Sequence, residues 1–418
     1  MKEKYLIYLS LVFMLFMFSG CRHNEPESAT AAVTSETESS IQELSEIPPE
    51  PSPEPSLPPE PKKATEEDLK IIQDYESKYF VKKLSDENKY HFTELYSAAM
   101  KFEQSAVFFT PVTDSELTTL MFLLNYDCPE LIQLSGDYFP EYNENGQVTQ
   151  VTFSYCMEQK DYEPAVKKLE DFRKTLLQKA EGKSEYETEK MVYDLIFDHA
   201  VYNESLPMAG SVYSTLINNV GRCEGFSKSF TWCMRKLGYE CLGMLGKQEW
   251  DKTAIYPNHS WNIVKIEGKY YHVDITVDNV QSNTEIYNPP NYGFLNTSDE
   301  MTYDKRQVSK VFTDLGIPEC TSSDLNYHIL NGLYIKKGEN IQEKITGLLN
   351  SHYTTEGIHA LSIKFEDPTE YQNTVNIINS IVRNYLQQYP ELTYSFITYQ
   401  NALSHTFIIN ASLISQGG

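Results

Sequence analysis

The sequence predicts an α+β fold, in which a helix that begins with a cysteine packs on an antiparallel sheet between two small α/β modules. Residues 221–227 (GRCEGFS) pass from a loop into a helical pattern. Two alternating segments, HSWNIVKI and KYYHVDI, flank a short turn and have the pattern of a β-hairpin. Mixed helix and strand patterns precede and follow these segments. At 418 residues the chain exceeds one ordinary domain, so we expect two or three folded units.

Residues 1–20 have the pattern of a signal peptide, with Lys2 and Lys4 before about 14 apolar residues. Such a run is short for a membrane-spanning helix. It ends in FSGC, which resembles the bacterial lipoprotein processing box, although Phe18 stands where that box usually has a smaller aliphatic residue. The resemblance implies that Cys21 becomes the N-terminus and carries a lipid anchor on the extracytoplasmic face of the membrane. An uncleaved signal anchor is the alternative.

Residues 21–64 are predicted to be a disordered linker behind that anchor. Residues 22–64 contain no Phe, Trp or Tyr and are rich in Ser, Thr, Glu and Pro, so they cannot bury enough apolar surface to fold. The run PPEPSPEPSLPPEP at residues 48–61 favours a polyproline conformation of roughly 43 Å. We expect this tether to hold the folded body within the cell-wall or periplasmic layer. A ligand for polyproline-binding domains is the alternative.

The charge and the cysteine content argue against several classes of protein. The formal net charge of −24 opposes binding to nucleic acid or to an anionic membrane surface. Seven cysteines are too few for a disulfide-dense scaffold of this size, and the absence of a C-x-x-C pair weakens a structural zinc site. Disulfide pairing stays open among Cys128, Cys156, Cys233, Cys241 and Cys320.

Residues 65–182 are predicted to form an N-terminal α+β domain without visible chemistry. The strand at 147–156 alternates and follows the turn signal Asn145-Gly146, and Thr113 or Asp114 caps the helix at 114–126. Periodicity predicts helices at 66–79, 91–102, 114–126 and 162–179, and strands at 106–110 and 147–156.

Residues 183–320 carry the motifs, and residues 321–418 are predicted to form a C-terminal α/β domain. An amphipathic helix at 184–202 begins the central domain. The C-terminal pattern predicts helices at 341–351 and 369–388, and strands at 360–365, 393–399 and 406–410.

Cys223 lies where a loop enters a helix that is predicted for residues 224–237 and that Gly238 ends. The positive end of a helix dipole stabilises a thiolate, as a cysteine nucleophile requires. The flanking Gly221 and Gly225 leave room for a substrate backbone. A cysteine that is merely packed in an apolar helix is the alternative interpretation.

His259 and Asp274 are predicted to lie on one face of the hairpin. With a two-residue turn between the strands, Asp274 faces Trp261 and His259 faces Thr276. The imidazole and the carboxylate then become diagonal neighbours within hydrogen-bonding reach. The carboxylate would orient the ring while its other nitrogen serves Cys223.

Each of these residues also has an ordinary structural interpretation. A histidine in a strand is often simply packed, and an aspartate often belongs to a turn or a salt bridge. His272 shares the face of His259, whereas Asn262 points to the opposite face and is a poor orienting group. Metal binding by Cys223, His259 and His272 is a further alternative, but no fourth ligand occurs at a suitable spacing.

Three ordered motifs resemble those of the bacterial transglutaminase-like superfamily, whose core is papain-like. GRCEGFS, HSWN and VDITVD match its patterns G-x-C-x-G-[YF]-[AS], H-[AVS]-W-N and V-D-x-T-x-D. The resemblance covers residues 184–304 and implies that Cys223, His259 and Asp274 are the nucleophile, the base and the orienting acid. Phe226 and Val277 depart from the commoner Tyr and Trp, and neither change removes a reacting group.

The resemblance implies acyl transfer through a thioester. Cys223 would attack an amide carbonyl of a peptide bond or a glutamine side chain, and His259 would protonate the leaving nitrogen. The oxyanion site should include the backbone N–H of Cys223, with Tyr202, Tyr213 and Trp261 as candidates for further oxyanion or substrate contacts.

Hydrolysis is favoured over amine transfer, because excluding water needs a dedicated acceptor tunnel. We therefore expect a peptidase or amidase that needs no cofactor and acts on a peptide or protein substrate, such as one associated with the cell wall. A non-catalytic module that binds wall peptides or secreted proteins is the alternative from another class.

Overall fold

The computed structural model describes residues 65–67, 70, 78–248, 258–280, 290–302, 306–354, 356–389 and 393–413. The predicted signal peptide, Cys21, the linker and most of the predicted helix at 66–79 lie outside these ranges. The described residues belong to one compact unit, Pro61–Gly418, and they combine helices and sheets in the predicted α+β class. The division of this unit into three domains stays a prediction.

The N-terminal part of the described chain contains a short 3-10 helix (Val81–Lys83), three longer α-helices and a three-stranded sheet. Its elements are α1 (Asp86–Met100), β1 (Ser105–Val112), α2 (Asp114–Tyr126), β2 (Leu134–Tyr142), β3 (Val148–Tyr155) and α3 (Gln159–Ala180). The antiparallel strand order is β1-β3-β2. Helix α2 begins at the predicted cap, where Thr113 and Glu116 form a reciprocal capping box. Strand β2 was not predicted, because its sequence LSGDYFPEY lacks clear alternation and contains a proline.

The central part is built around a five-stranded antiparallel sheet. Its elements are α4 (Glu185–His199), β4 (Val201–Tyr202), α5 (Val212–Ile217), β5 (Val220–Gly221), α6 (Cys223–Lys236), β6 (Cys241–Gln248), β7 (His259–Ile266), β8 (Lys269–Val273), α7 (Ile275–Val280), β9 (Leu295–Thr297), α8 (Asp299–Thr302), β10 (Arg306–Val308) and α9 (Lys310–Leu315). The strand order is β10-β6-β7-β8-β9. Strands β6, β9 and β10 were not predicted, since β6 carries two glycines and the other two have three residues each.

The hairpin of β7 and β8 has the predicted two-residue turn. Glu267 and Gly268 both have positive φ angles, 49° and 79°, as a type I′ turn requires. The pairing of Asn262 with Val273 keeps the predicted register. The local sequence was therefore sufficient for the turn and for the register of the paired strands as far as Asn262 and Val273.

The C-terminal part combines a four-stranded sheet with helices. Its elements are α10 (Tyr327–Leu330), β11 (Tyr334–Ile335), α11 (Ile341–His352), β12 (Gly357–Phe365), α12 (Pro368–Val375), α13 (Ile378–Leu386), β13 (Tyr394–Asn401) and β14 (Thr406–Leu413). The strand order is β11-β12-β14-β13. The single helix predicted at 369–388 is wrong, because the chain breaks at Asn376 and Ile377 into α12 and α13.

The two faces of the central sheet pack against different parts of the chain. One face carries Leu242, Met244 and Ile263, which join the core of the N-terminal part. The other face carries Val264 and Val273, which pack with α4 and α6 in a second core. The sheet thus lies between the N-terminal sheet and helices on one side and the cysteine-bearing helix on the other.

Candidate active site

Cys223 is the first residue of the 14-residue helix α6. Arg222 before it has an extended backbone, and its N–H donates to the Ala209 carbonyl at 2.9 Å. Gly225 allows this close approach, because a Cβ there would overlap that same carbonyl and lie 2.6 Å from Thr215 Oγ1. The loop and the helix start therefore hold each other in place, with Cys223 at the positive end of the helix dipole.

Helix α6 runs alongside β7 and directs its start towards the start of that strand. Asn262 Nδ2 donates to Thr231 Oγ1 at 2.8 Å and to the Ser227 carbonyl at 3.0 Å. Ser227 Oγ donates in turn to the carbonyl of Trp261, the residue before Asn262 in the strand, at 2.8 Å. The helix and the strand therefore run in the same direction, and both begin at the same end of the sheet. One further turn of the helix brings Cys223 to the end of the sheet where β7 begins with His259.

His259 and Asp274 are brought together as the hairpin register predicted. His259 Nε2 lies 2.6 Å from Asp274 Oδ2, and the two side chains are only 9% and 1% exposed. Asp274 Oδ1 also accepts the Val277 N–H at 3.2 Å, which caps α7. Thr276 therefore lies in α7, and its predicted place in a strand opposite His259 is wrong. Because Nε2 faces the carboxylate, Nδ1 is the ring nitrogen that would serve a thiol.

Arg306, the first residue of β10, is a component of the site that the sequence did not single out. Its Nη2 donates to Asp274 Oδ2 at 2.5 Å, and its side chain is 0% exposed. The guanidinium lies over the rings of Trp261 and Phe294, at 5.2 and 4.5 Å from their centroids. Arg306 lies just beyond the segment 184–304 that resembles the family, so the motifs did not point to it. Long-range pairing of β10 with β6 positions it.

The charges of this group follow from its burial and its contacts. Burial lowers the pKa of His259, Asp274 opposes that effect, and Arg306 adds to it. Burial would raise the pKa of Asp274, but Arg306 and His259 together hold it below its ordinary value. At neutral pH the site therefore holds a neutral imidazole beside a charged carboxylate, which is the state that a general base requires.

Trp261, a predicted oxyanion or substrate contact, is buried beside His259, with the two rings nearly parallel and their centroids 6.2 Å apart. Its indole N–H, which an oxyanion role would use, donates to His272 Nδ1 at 3.1 Å. His272 Nε2 then lies 2.8 Å from Asp299 Oδ1. Trp261 thus connects the His259 pair to a second buried histidine on the same face of the sheet.

His272, Asp299 and Cys320 have ligand atoms within 4.8 Å of one another, a group of metal-binding residue types within the described ranges. The indole N–H occupies the Nδ1 lone pair of His272, so the proton of the neutral ring is on Nε2 and points to Asp299. A metal would need that Nε2 lone pair. Burial also raises the pKa of the Cys320 thiol, which opposes the thiolate form. These hydrogen bonds favour a structural network over a metal site.

Charged side chains surround the start of α6. Glu224 accepts from Lys228 Nζ at 2.6 Å and from Arg222 Nη2 at 2.7 Å. Asn125 of α2 closes the network, since its Nδ2 donates to Glu224 Oε1 at 2.9 Å and its Oδ1 accepts from Lys228 at 2.6 Å. Two cations and one carboxylate leave a net positive charge beside Cys223, which favours its thiolate form.

The two tyrosines predicted near the site have different surroundings. Tyr202 pairs with Gly221 across the short strands β4 and β5, and its ring lies 6.5 Å from that of Phe226. It therefore lies beside the segment that leads into the nucleophile helix. The Tyr213 hydroxyl instead accepts from Lys168 Nζ at 3.1 Å. Their roles at the site stay predictions.

Tyr126, at the end of α2, is a tyrosine near the nucleophile that the sequence did not single out. Burial raises the pKa of Tyr126 well above its usual value, and the nearby Glu224 and Cys223 add to this effect. Gly243 of β6 permits its approach, because a Cβ there would lie 2.8 Å from the Tyr126 carbonyl. The N-terminal part thus contributes directly to the surroundings of Cys223.

The six described cysteines form no disulfide with one another. Cys223 and Cys156 are half-buried, whereas Cys128, Cys233 and Cys241 are buried, as is Cys320. Burial raises the pKa of the Cys241 thiol to about 12. Cys223 is therefore distinguished by its partial exposure together with its place at a helix start.

Comparison with known proteins connects this site to a superfamily. Residues 174–275 match the transglutaminase-like superfamily, and that segment contains Cys223, His259 and Asp274. No curated protein gives a significant match. Among the described residues, no helix has the length and apolarity to cross a membrane.

Two solved structures are similar to parts of the chain. One is a proposed cysteine protease from Cytophaga hutchinsonii, with 15% identity and a TM-score of 0.21, matched over 34% of this chain and 61% of its own. The other is described as a TGase, with 16% identity and a TM-score of 0.22, matched over 41% of this chain and 50% of its own. The chain thus spans between half and two thirds of the length of these proteins.

Proposed function

We propose that this chain is a thiol acyl-transfer enzyme that acts on amide bonds through a thioester on Cys223, with hydrolysis as its main reaction. The observation that carries the proposal is the buried pair of His259 and Asp274, 2.6 Å apart at the end of β7 towards which helix α6 directs Cys223. The superfamily match of residues 174–275 supports it, because the matched segment includes all three residues.

In the first half of the reaction, the Cys223 thiolate attacks the amide carbonyl carbon. His259, which has taken the thiol proton, gives that proton to the departing nitrogen, so the amine leaves as a neutral molecule. Asp274 stabilises the transient imidazolium without becoming protonated itself. The backbone N–H of Cys223 would stabilise the oxyanion.

In the second half, neutral His259 takes a proton from water while the water oxygen attacks the thioester. The carboxylic acid leaves, and the thiol regains its proton from the imidazolium. We favour water over an amine as the acceptor, because water is abundant and its exclusion requires a built tunnel. The reaction is then that of a peptidase or amidase.

We further propose that the enzyme acts outside the cytoplasm, with a lipid on Cys21 and residues 21–64 as a tether, on a peptide or protein such as one of the cell wall. The apolar run before FSGC and the Pro-rich linker support this location. Bacteria that express the full chain would be grown with a clickable fatty acid. Label that disappears in Cys21→Ala and persists in Cys128→Ala is expected, whereas an unlabelled wild-type chain would overturn the anchor.

The catalytic proposal is tested by trapping the thioester. The full chain is incubated with a peptide library, quenched in acid and analysed for acyl adducts by mass spectrometry. We expect adducts on Cys223 that are lost in Cys223→Ala and persist in Cys156→Ala, which removes the other half-buried thiol. Product analysis with and without added amines then separates hydrolysis from amine transfer. Peptide binding without adducts would support the non-catalytic binding module instead.

A further inference from the structure

Arg306 occupies an unusual place for a full positive charge. Its side chain is 0% exposed, and its guanidinium lies over the faces of Trp261 and Phe294 at 5.2 and 4.5 Å. Burial of an ion at such a position is costly unless a partner compensates the charge. Asp274 provides a compensating carboxylate, and it is the same group that binds the imidazole of His259.

The two partners of this carboxylate meet at one oxygen atom. Asp274 Oδ2 lies 2.6 Å from His259 Nε2 and 2.5 Å from Arg306 Nη2. A carboxylate that acts on a histidine alone strongly stabilises the imidazolium. When a permanent cation shares the same oxygen, part of that stabilisation is cancelled, because the guanidinium and an imidazolium repel each other.

We propose that Arg306 is a positioning residue that fixes the Asp274 carboxylate and limits how strongly that carboxylate holds a proton on His259. This inference rests on the proposed function, in which His259 must both give and take a proton. If the carboxylate stabilised the imidazolium too strongly, the thiolate of Cys223 would be favoured, but His259 would stay protonated and could not accept a proton from water. Arg306 therefore serves the hydrolytic half of the reaction.

Other charged groups near this pair could contribute to the same balance. His272 lies beyond Trp261, and burial lowers its pKa, so it is neutral at pH 7. Asp278 on α7 accepts from the buried Tyr193 hydroxyl, and burial raises its pKa to about 7. Lys364 of β12 donates to the Gly293 carbonyl at 2.8 Å. Arg306 differs in that it binds the shared carboxylate oxygen directly.

The test is a titration of His259 in the full chain by NMR with isotope-labelled histidine, in a Cys223→Ala background that removes coupling to the thiol. Arg306→Met removes the charge and can fill the space between the two rings. We expect the His259 midpoint to rise by about one pH unit, the change that a nearby charge produces. An unchanged midpoint in folded Arg306→Met would overturn the proposal.

Two further variants separate charge from packing. Arg306→Gln removes the charge with a polar side chain and should raise the midpoint equally, so it decides the test if Arg306→Met does not fold. Arg306→Lys retains the charge and should restore a midpoint close to that of the wild type. A rise of the same size in Arg306→Lys would show that packing alone is responsible and would also overturn the proposal.

The catalytic consequence is measured separately from the titration. With Cys223 restored, Arg306→Met should form the thioester but hydrolyse it about tenfold more slowly at pH 6.5, with recovery at higher pH as His259 loses its proton. If the wild-type chain forms no thioester at all, the proposed function fails, while the titration still decides the influence of Arg306. Equal hydrolysis rates at every pH would contradict the assigned role.

Discussion

Gly225 gives a sharp test of how the nucleophile helix is held. A methyl group there would overlap the Ala209 carbonyl oxygen and lie 2.6 Å from Thr215 Oγ1. Overpacking of this kind costs about 1–3 kcal/mol. Displacing the carbonyl also weakens the hydrogen bond from the Arg222 N–H, at about 1 kcal/mol. The better helix propensity of alanine returns about 1 kcal/mol, so we expect Gly225→Ala to destabilise the chain by about 2 kcal/mol.

The matched control is Gly347 of helix α11, where a Cβ would meet no atom within 4 Å. Gly347→Ala should stabilise the chain by about 0.5–1 kcal/mol through helix propensity alone. Both variants would be compared with the wild type by urea unfolding followed by circular dichroism. If Gly225→Ala proves as stable as the wild type or as Gly347→Ala, then the close approach of helix and loop does not constrain the site, and the reasoning fails.

Three further outcomes follow from the site. Cys223 should be alkylated at pH 6 at least about tenfold faster in the wild type than in His259→Ala, because neutral His259 takes the thiol proton and the resulting imidazolium stabilises the thiolate. Equal alkylation rates in residue-resolved mass spectrometry would contradict the pairing of Cys223 with His259. Asp274→Asn should cost about 3 kcal/mol of stability at pH 7, since it breaks a buried ion pair. The pKa of Asp274 is lowered on folding, so its contribution is complete above about pH 3.9 and is lost as the pH falls further. The difference in the free energy of unfolding between wild type and Asp274→Asn, measured with urea, should therefore become smaller below pH 4. A difference that stays constant with pH would refute this prediction. Asn125→Leu should cost about 2 kcal/mol, because the buried Lys228 loses an acceptor; an unchanged unfolding midpoint would count against the network.

Local sequence was sufficient for much of the fold. The capping pattern at Thr113 or Asp114 predicted the start of α2, and the reciprocal hydrogen bonds between Thr113 and Glu116 identify Thr113 as the cap. The turn between β7 and β8 predicted a register that placed His259 and Asp274 on one face, and the structure brings these side chains into contact. Caps and tight turns are settled by residues within a few positions of each other, so a single sequence contains the necessary information.

Predictions failed where neighbouring residues leave several conformations close in free energy. Strand β6 contains two glycines, so its sequence pattern predicts a strand only weakly. It nevertheless lies between β10 and β7 in the central sheet. The helix predicted at 369–388 is interrupted near Asn376, where both halves still satisfy the helical pattern. Thr276 was assigned to a strand because the alternating pattern continues past the point where Asp274 caps a helix. Tertiary contacts decide such cases, since local propensities differ by less than the free energy of packing.

By itself, the sequence predicted Cys223, His259 and Asp274 as the candidate site, because helix and hairpin patterns assign each residue to an end or a face and three ordered motifs resemble those of a family. Only the tertiary structure decided which neighbouring groups set the charge states of these three residues. Arg306 shares the carboxylate from across the sheet, and Asn125 closes the ion network from the N-terminal part. Burial and electrostatic coupling depend on distances between residues far apart in the chain, and these distances exist only after folding.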